Sequence, residues 1–197
     1  MPKKATWYFD FVSPFSYLQF KSLNRLPDTL ECEPVPILFS ALLKHWGHKG
    51  PAEIAPKRVD TYRYCQWLAA KSGIGFQMPP VHPFNPLPFL RLALALENSP
   101  GVIETIFDYI WLEGNPAHTP EGFMNLASEL GLDDPVTLIS TEEVKNRLRH
   151  TTEQAIAAGV YGVPTFAIDS ERFWGLDQTQ MMLDCLQTSP VATHRDH

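Results

Sequence analysis

The chain has 197 residues, 44% of them hydrophobic, enough for a sizeable core in one domain or in a domain with an insertion. Its formal net charge of -6 speaks against a nucleic-acid surface, and no run approaches the roughly 18 apolar residues of a membrane span or the pattern of an export signal. Three cysteines at 32, 65 and 185 have no paired spacing and seven histidines no metal-site spacing, so a reducing, cytoplasmic setting and no metal are expected.

In chain order, the aromatic and β-branched run Ala5 to Val12 predicts a strand, and Tyr17, Leu18, Phe20 and Leu23 predict a helix over Ser16 to Arg25. Ser13 falls at the junction as an N-cap, with Pro14 at the first helical position. Helix-terminal amides there favour an anion such as a thiolate beside Ser13, while the plainer reading makes Ser13 a cap alone. A second strand is expected near Leu30 to Leu38. Helices follow near Ala41 to Trp46, Lys57 to Lys71, Pro88 to Glu97, Val102 to Glu113, Pro120 to Leu130 and Thr141 to Ala158. Ser140 with Glu143 patterns as a capping box for the last of these, and Gly131 and Gly159 as stops. Pro79-Pro80-Val81-His82-Pro83 reads as a loop.

The pair Val163-Pro164 then opens a short strand, Thr165 to Ile168. Proline cannot donate to a ladder, so it belongs at a strand's first residue or edge. A cis bond there turns the Val163 backbone outward, where it can pair with an extended peptide; an ordinary trans loop proline is the alternative. A strand near Arg172 to Trp174 and an amphipathic helix after Asp177 end the pattern.

Together, the segments around Ser13 and Val163-Pro164 resemble the thioredoxin superfamily. Where a redox member carries Cys-x-x-Cys, this chain has Ser13-Pro14-Phe15-Ser16, so disulfide exchange is not expected. A hydroxyl can instead donate a hydrogen bond to a sulfur that arrives with a ligand. More narrowly, the chain resembles the 2-hydroxychromene-2-carboxylate isomerases, a DsbA-like group related to kappa-class glutathione transferases. The resemblance spans most of the chain. It rests on Asp10 through Leu18, the Lys44 to Pro51 loop, Lys57-Arg58 with Trp67, Phe84-Asn85-Pro86, Gly162 through Phe166, and Phe173 through Asp177.

The resemblance implies an α/β, thioredoxin-like fold with an all-helical domain inserted: residues 1–40 and 160–190 form the thioredoxin-like part, 41–159 the insertion and 191–197 a tail. It implies glutathione as cofactor, with Ser13 beside the sulfur, Val163 next to Pro164 pairing with the cysteinyl backbone, and Trp174, Gly175, Leu176 and Asp177 at the γ-glutamyl end. Asp177 is also expected to cap the final helix, and Gln178 stands where the family often has Arg. The implied reaction interconverts 2-hydroxychromene-2-carboxylate and trans-o-hydroxybenzylidenepyruvate in aromatic catabolism.

For that small aromatic carboxylate, Lys44 is the expected cation, with His45, His48 and Lys49 as alternatives; Asn85 orients an oxygen and Phe84 forms a wall. Surface charge and a turn-forming Asn-Pro are the plainer readings of the cations and of Asn85. Tyr17, Trp46 and Trp174 are candidates for an aromatic slot, with ordinary core as their plainer reading. The family implies a homodimer. A kappa-like transferase and a non-enzymatic peptide-binding module remain the alternatives.

Overall fold

The structure, a computed structural model, describes residues 2–187. Four strands form one mixed sheet in the order β2-β1-β3-β4, where β1 is Lys3–Phe9, β2 Leu30–Pro36, β3 Thr165–Ile168 and β4 Glu171–Trp174. β1 runs parallel to β2, with Trp7 beside Pro34, and antiparallel to β3, with Tyr8 beside Thr165. The sheet therefore draws on both ends of the sequence, and helices occupy the stretch between β2 and β3. This is the thioredoxin-like architecture with a helical insertion that the motifs imply. The expected tail, 191–197, lies outside the described residues.

Period-two alternation on β1 sets the two faces of the sheet. Ala5, Trp7 and Phe9 are fully buried on one side, while Thr6 and Tyr8 are half-buried on the other. Trp7 stacks on Phe9 with ring centroids 4.6 Å apart, and Phe9 meets Phe11 edge-on at 5.2 Å. Phe107, at the end of helix α5 (Pro100–Phe107), enters this cluster with centroids 4.7 to 6.4 Å from Trp7, Phe9, Phe11, Tyr17 and Phe20. One continuous core thus joins the sheet to the helices. A smaller second core of Ile37, Leu42, Ala155, Val160 and Val163 includes residues of α2 (Phe39–Trp46) and α8 (Glu142–Ala157).

Several boundaries differ from the sequence expectation for local reasons. β1 stops at Phe9 because the next residues fold back: Ser13 N donates to the Asp10 carbonyl at 3.1 Å, and Val12 N to Asp10 Oδ1 at 3.0 Å. Helix α1 covers only Pro14–Phe20, and the rest of the expected span is a 3₁₀ turn at Leu23–Arg25. Past α5, a π turn at Asp108–Leu112 continues the predicted helix and buries Tyr109, Ile110 and Trp111. A short helix, α7 (Pro135–Ser140), was not expected; Asp134 caps it through Thr137 N, and Pro135 takes its first position. Ser140 therefore closes α7 and does not open α8, whose cap is Thr141 through Val144 N. α3 (Ala55–Ser72), α4 (Leu87–Ala95), α6 (Pro120–Glu129) and α9 (Thr179–Gln187) lie within two residues of expectation where bounds were given. Among the described residues no helix is long and apolar enough to cross a membrane.

Candidate active site

Ser13 sits at the turn between β1 and α1, 7% exposed, with extended backbone angles suited to a cap. Its Oγ accepts from Ser16 N at 3.2 Å and donates to nothing among the described residues. A free O–H donor is thus held at a fixed place. Ser16, three residues on, is fully buried, and its Oγ has no hydrogen-bond partner among the described residues. The two serines of this motif consequently differ: one keeps an outlet and the other has none.

Two groups without a role in the sequence reading secure the turn. Asp10 is completely buried, and its Oδ1 and Oδ2 accept from the amides of Val12 and Phe39 at 3.0 and 2.9 Å. Burial pushes its pKa up to about 7, against the two amide bonds that favour the charged form. His82 reaches the same turn from the loop before α4. Its Nε2 lies 2.7 Å from the Val12 carbonyl, which can only accept, so Nε2 carries the proton. Nδ1 then accepts from the Tyr62 hydroxyl at 2.6 Å. The ring packs edge-on against Trp111 and Phe84, and burial lowers its pKa, which keeps the imidazole neutral. A histidine between prolines was the available signal; the missing information was its contact 70 residues away.

The Val163-Pro164 bond is cis. Continuing the β1–β3 register past Tyr8 and Thr165 sets Val163 beside Asp10, at the same end of the sheet as Ser13. Neither the amide nor the carbonyl of Val163 has a hydrogen-bond partner among the described residues. Next to it, the Pro164 carbonyl accepts from Gly175 N at 2.9 Å, which anchors the segment after β4. Trp174 is 45% exposed and meets Tyr161 edge-on. Its indole lies so close over Gly162 that any Cβ there would have to push the ring aside.

Gln19 ties this segment to α1. Its Oε1 accepts from Trp7 Nε1 at 2.7 Å, and its Nε2 donates to the Gly175 carbonyl at 3.3 Å and to Thr179 Oγ1 at 2.9 Å. Asp177 is exposed and makes no hydrogen bond or ion pair among the described residues, so it does not cap α9 as expected. The helix starts one step later: Gln178 O accepts from Met182 N, and Gln178 Oε1 accepts from Trp174 N at 2.9 Å. The side-chain oxygen of Gln178 is thus occupied inside the chain.

The remaining sequence candidates make no side-chain hydrogen bond to Ser13 among the described residues. Lys44 lies in the last turn of α2, exposed and without a carboxylate partner among the described residues. Phe84 is 7% exposed and packs on Phe89, His82 and Trp111. Asn85 is exposed and uses Oδ1 to accept from Leu87 N at the start of α4. Tyr17 is core, not slot lining: fully buried, it donates its hydroxyl to the Gly75 carbonyl at 2.5 Å. Trp46 is spent holding the Val160 carbonyl at 2.9 Å. The three cysteines are free, and burial pushes Cys32 and Cys65 up to about 12, far from thiolate character.

Against known proteins, the model of the DSBA-like thioredoxin domain matches residues 6–187. A 2-hydroxychromene-2-carboxylate isomerase from Pseudomonas sp. (strain C18) is 27% identical, covering 94% of this chain and 91% of that protein. A glutathione S-transferase kappa 2 from Caenorhabditis elegans is 24% identical over 82% and 79%. A solved structure of a 2-hydroxychromene-2-carboxylate isomerase superposes with a TM-score of 0.80 at 23% identity, covering 93% of this chain and 94% of the other, and shows the shared fold. With its family model spanning nearly every described residue and its sheet assembled from both ends of the sequence, the chain belongs to the DSBA-like thioredoxin family.

Proposed function

We propose that the protein is a glutathione-dependent isomerase that interconverts 2-hydroxychromene-2-carboxylate and trans-o-hydroxybenzylidenepyruvate. The observation that carries this reading is the unspent hydroxyl donor of Ser13, at the same end of the sheet as a Val163 backbone that has no partner among the described residues. The similarity to isomerases and to kappa-class glutathione transferases supports the substrate and the thiol. The residues present suit a thiol tripeptide. Val163 offers one N–H and one C=O for an extended backbone, Asp177 offers a free carboxylate to an ammonium, and Ser13 offers a donor to sulfur.

When bound, glutathione would supply a thiolate for reversible addition to the electron-poor double bond of the substrate once its hemiketal C–O bond has opened to a phenol and a ketone; addition makes the double bond single and free to rotate, and loss of the thiolate restores it. Ser13 donates its hydroxyl proton in a hydrogen bond to the sulfur, which favours the ionised form before attack and again on departure. Asp10 and His82 hold the turn so that this donor keeps its aim. Asn85 keeps its side-chain NH2 for a substrate oxygen, since only its Oδ1 is used.

The test is turnover of the hydroxychromene carboxylate with and without glutathione, followed by absorbance. Thiol-dependent conversion with glutathione recovered unchanged is the expected result. A kappa-like transferase is the second reading, favoured by the relative in C. elegans, and stoichiometric glutathione consumption selects it. No thiol binding by calorimetry, with an extended peptide bound instead, selects the non-enzymatic module.

A further inference from the structure

α3 carries an aromatic surface that the thiol site does not use. Tyr64 and Trp67 lie one turn apart, 48% and 52% exposed, with rings stacked 16° from parallel at 5.9 Å. Large exposed rings held parallel by one helix are an unusual use of surface. They border an open depression of about 510 Å³ lined by Asp60, Arg63, Tyr64 and Trp67. Phe15, two residues beyond Ser13, reaches the inner end of this ladder with its ring 6.2 Å from that of Tyr64. The aromatic path therefore starts at the catalytic turn and runs outward along the helix.

Charge selects the occupant. Lys71, one turn further along, places its Nζ 4.8 Å over the Trp67 ring and has no carboxylate partner among the described residues. Arg63 is paired with Asp60 at 3.0 Å, but both side chains are largely exposed, so that pair is weak and open to exchange. A flat π surface flanked by a cation without an anion matches a planar aromatic ring that bears a carboxylate.

We propose that Tyr64, Trp67 and Lys71, with Phe15 at the inner edge, bind the ring and carboxylate of the aromatic acid that reacts at Ser13. The assignment rests on the isomerase reading and deepens it, moving the carboxylate's partner from Lys44 to α3. The ring stacks across Tyr64 and Trp67, the carboxylate faces Lys71, and the reactive chain points back past Phe15.

The test is calorimetric titration of 2-naphthoate into the full-length protein without thiol. Exposed positions are chosen so that each variant folds. Trp67→Ala and Tyr64→Ala should each weaken binding about tenfold, as the loss of one stacked ring implies. Lys71→Ala should weaken 2-naphthoate but leave the neutral 2-naphthalenemethanol unchanged. In turnover, Trp67→Ala should raise KM for the acid with little change in KM for glutathione. Because the titration contains no thiol, its result is read independently of whether glutathione binds. Wild-type affinity in both aromatic variants overturns the assignment. So does a fall in oligomeric mass for Trp67→Ala by light scattering, which makes this face a contact between two copies of the chain.

Discussion

His82 Nε2 donates to the Val12 carbonyl at 2.7 Å, joining the loop before α4 to the residue that precedes Ser13. Removal of the ring orphans the half-buried Val12 carbonyl and leaves the Tyr62 hydroxyl, which donates to Nδ1, only its second acceptor, the His82 carbonyl at 3.1 Å. His82→Ala is therefore expected to cost about 2–3 kcal/mol in urea unfolding. Tyr62→Phe, which removes the hydroxyl shared between Nδ1 and the His82 carbonyl and retains the imidazole, should cost about 1 kcal/mol. Equal losses in the two variants would show that His82 acts through packing alone.

Ser13 and Ser16 separate structure from chemistry. Ser13→Ala loses the cap to Ser16 N and should cost about 1 kcal/mol, too little to unfold the protein. Its turnover should fall about a hundredfold, the scale of one lost donor to a developing anion. Ser16→Ala removes a buried hydroxyl without a partner and should gain about 1 kcal/mol with turnover unchanged. Stopped-flow rates and thermal melts of both variants check the pair. If Ser13→Ala turns over like wild type, the hydroxyl has no catalytic role.

Asp10 predicts a pH dependence of stability. The folded state holds its proton up to about 7, whereas the unfolded chain releases it near 3.8. Between those values the folded state binds more protons, so stability falls as pH rises. The contribution is complete below the unfolded value and gone above the folded one. Asp10→Asn cannot ionise and should flatten this slope. It also turns an NH2 toward Val12 N or Phe39 N and should lower stability overall by about 1–3 kcal/mol. Urea unfolding at intervals from pH 4 to pH 8 reads both effects; a slope identical to wild type would exclude Asp10 as its source.

Asp177 and Gly162 test the thiol grip from two sides. Asp177→Ala should weaken glutathione about fivefold, a modest loss because the carboxylate is exposed and screened. Gly162→Ala sets a methyl against the Trp174 indole, which can swing aside because it is half exposed. The melting temperature should hold while glutathione affinity drops several-fold. Unaltered dissociation constants in both variants remove the segment from 174 to 177 from ligand binding.

The local punctuation of this site was legible and its tertiary wiring was not. Ser13, Pro14 and Val163-Pro164 announce themselves because caps and strand-opening prolines are constraints between near neighbours. Asp177 misled because a cap displaced by one residue leaves almost the same sequence pattern, and Gln178 took the place. Tyr17 reads equally as slot or core until its hydroxyl meets Gly75, 58 residues away. Asp10 and His82 act through backbone groups brought together by folding, so no spacing discloses them. The short helix α7 had a readable Asp134-Pro135 start but was too brief for a hydrophobic period to show.

Gln19 bonds at once to Trp7, Gly175 and Thr179, across as many as 160 positions of sequence. One amide therefore fastens the stretch leading into the last helix onto the same short helix that Ser13 begins. A substitution that shifts the residues near Gly175 is expected to strain the hold of Gln19 on them. Retuning the proposed thiol site would thus disturb rate along with preference, and the two properties are expected to drift together in any series of variants.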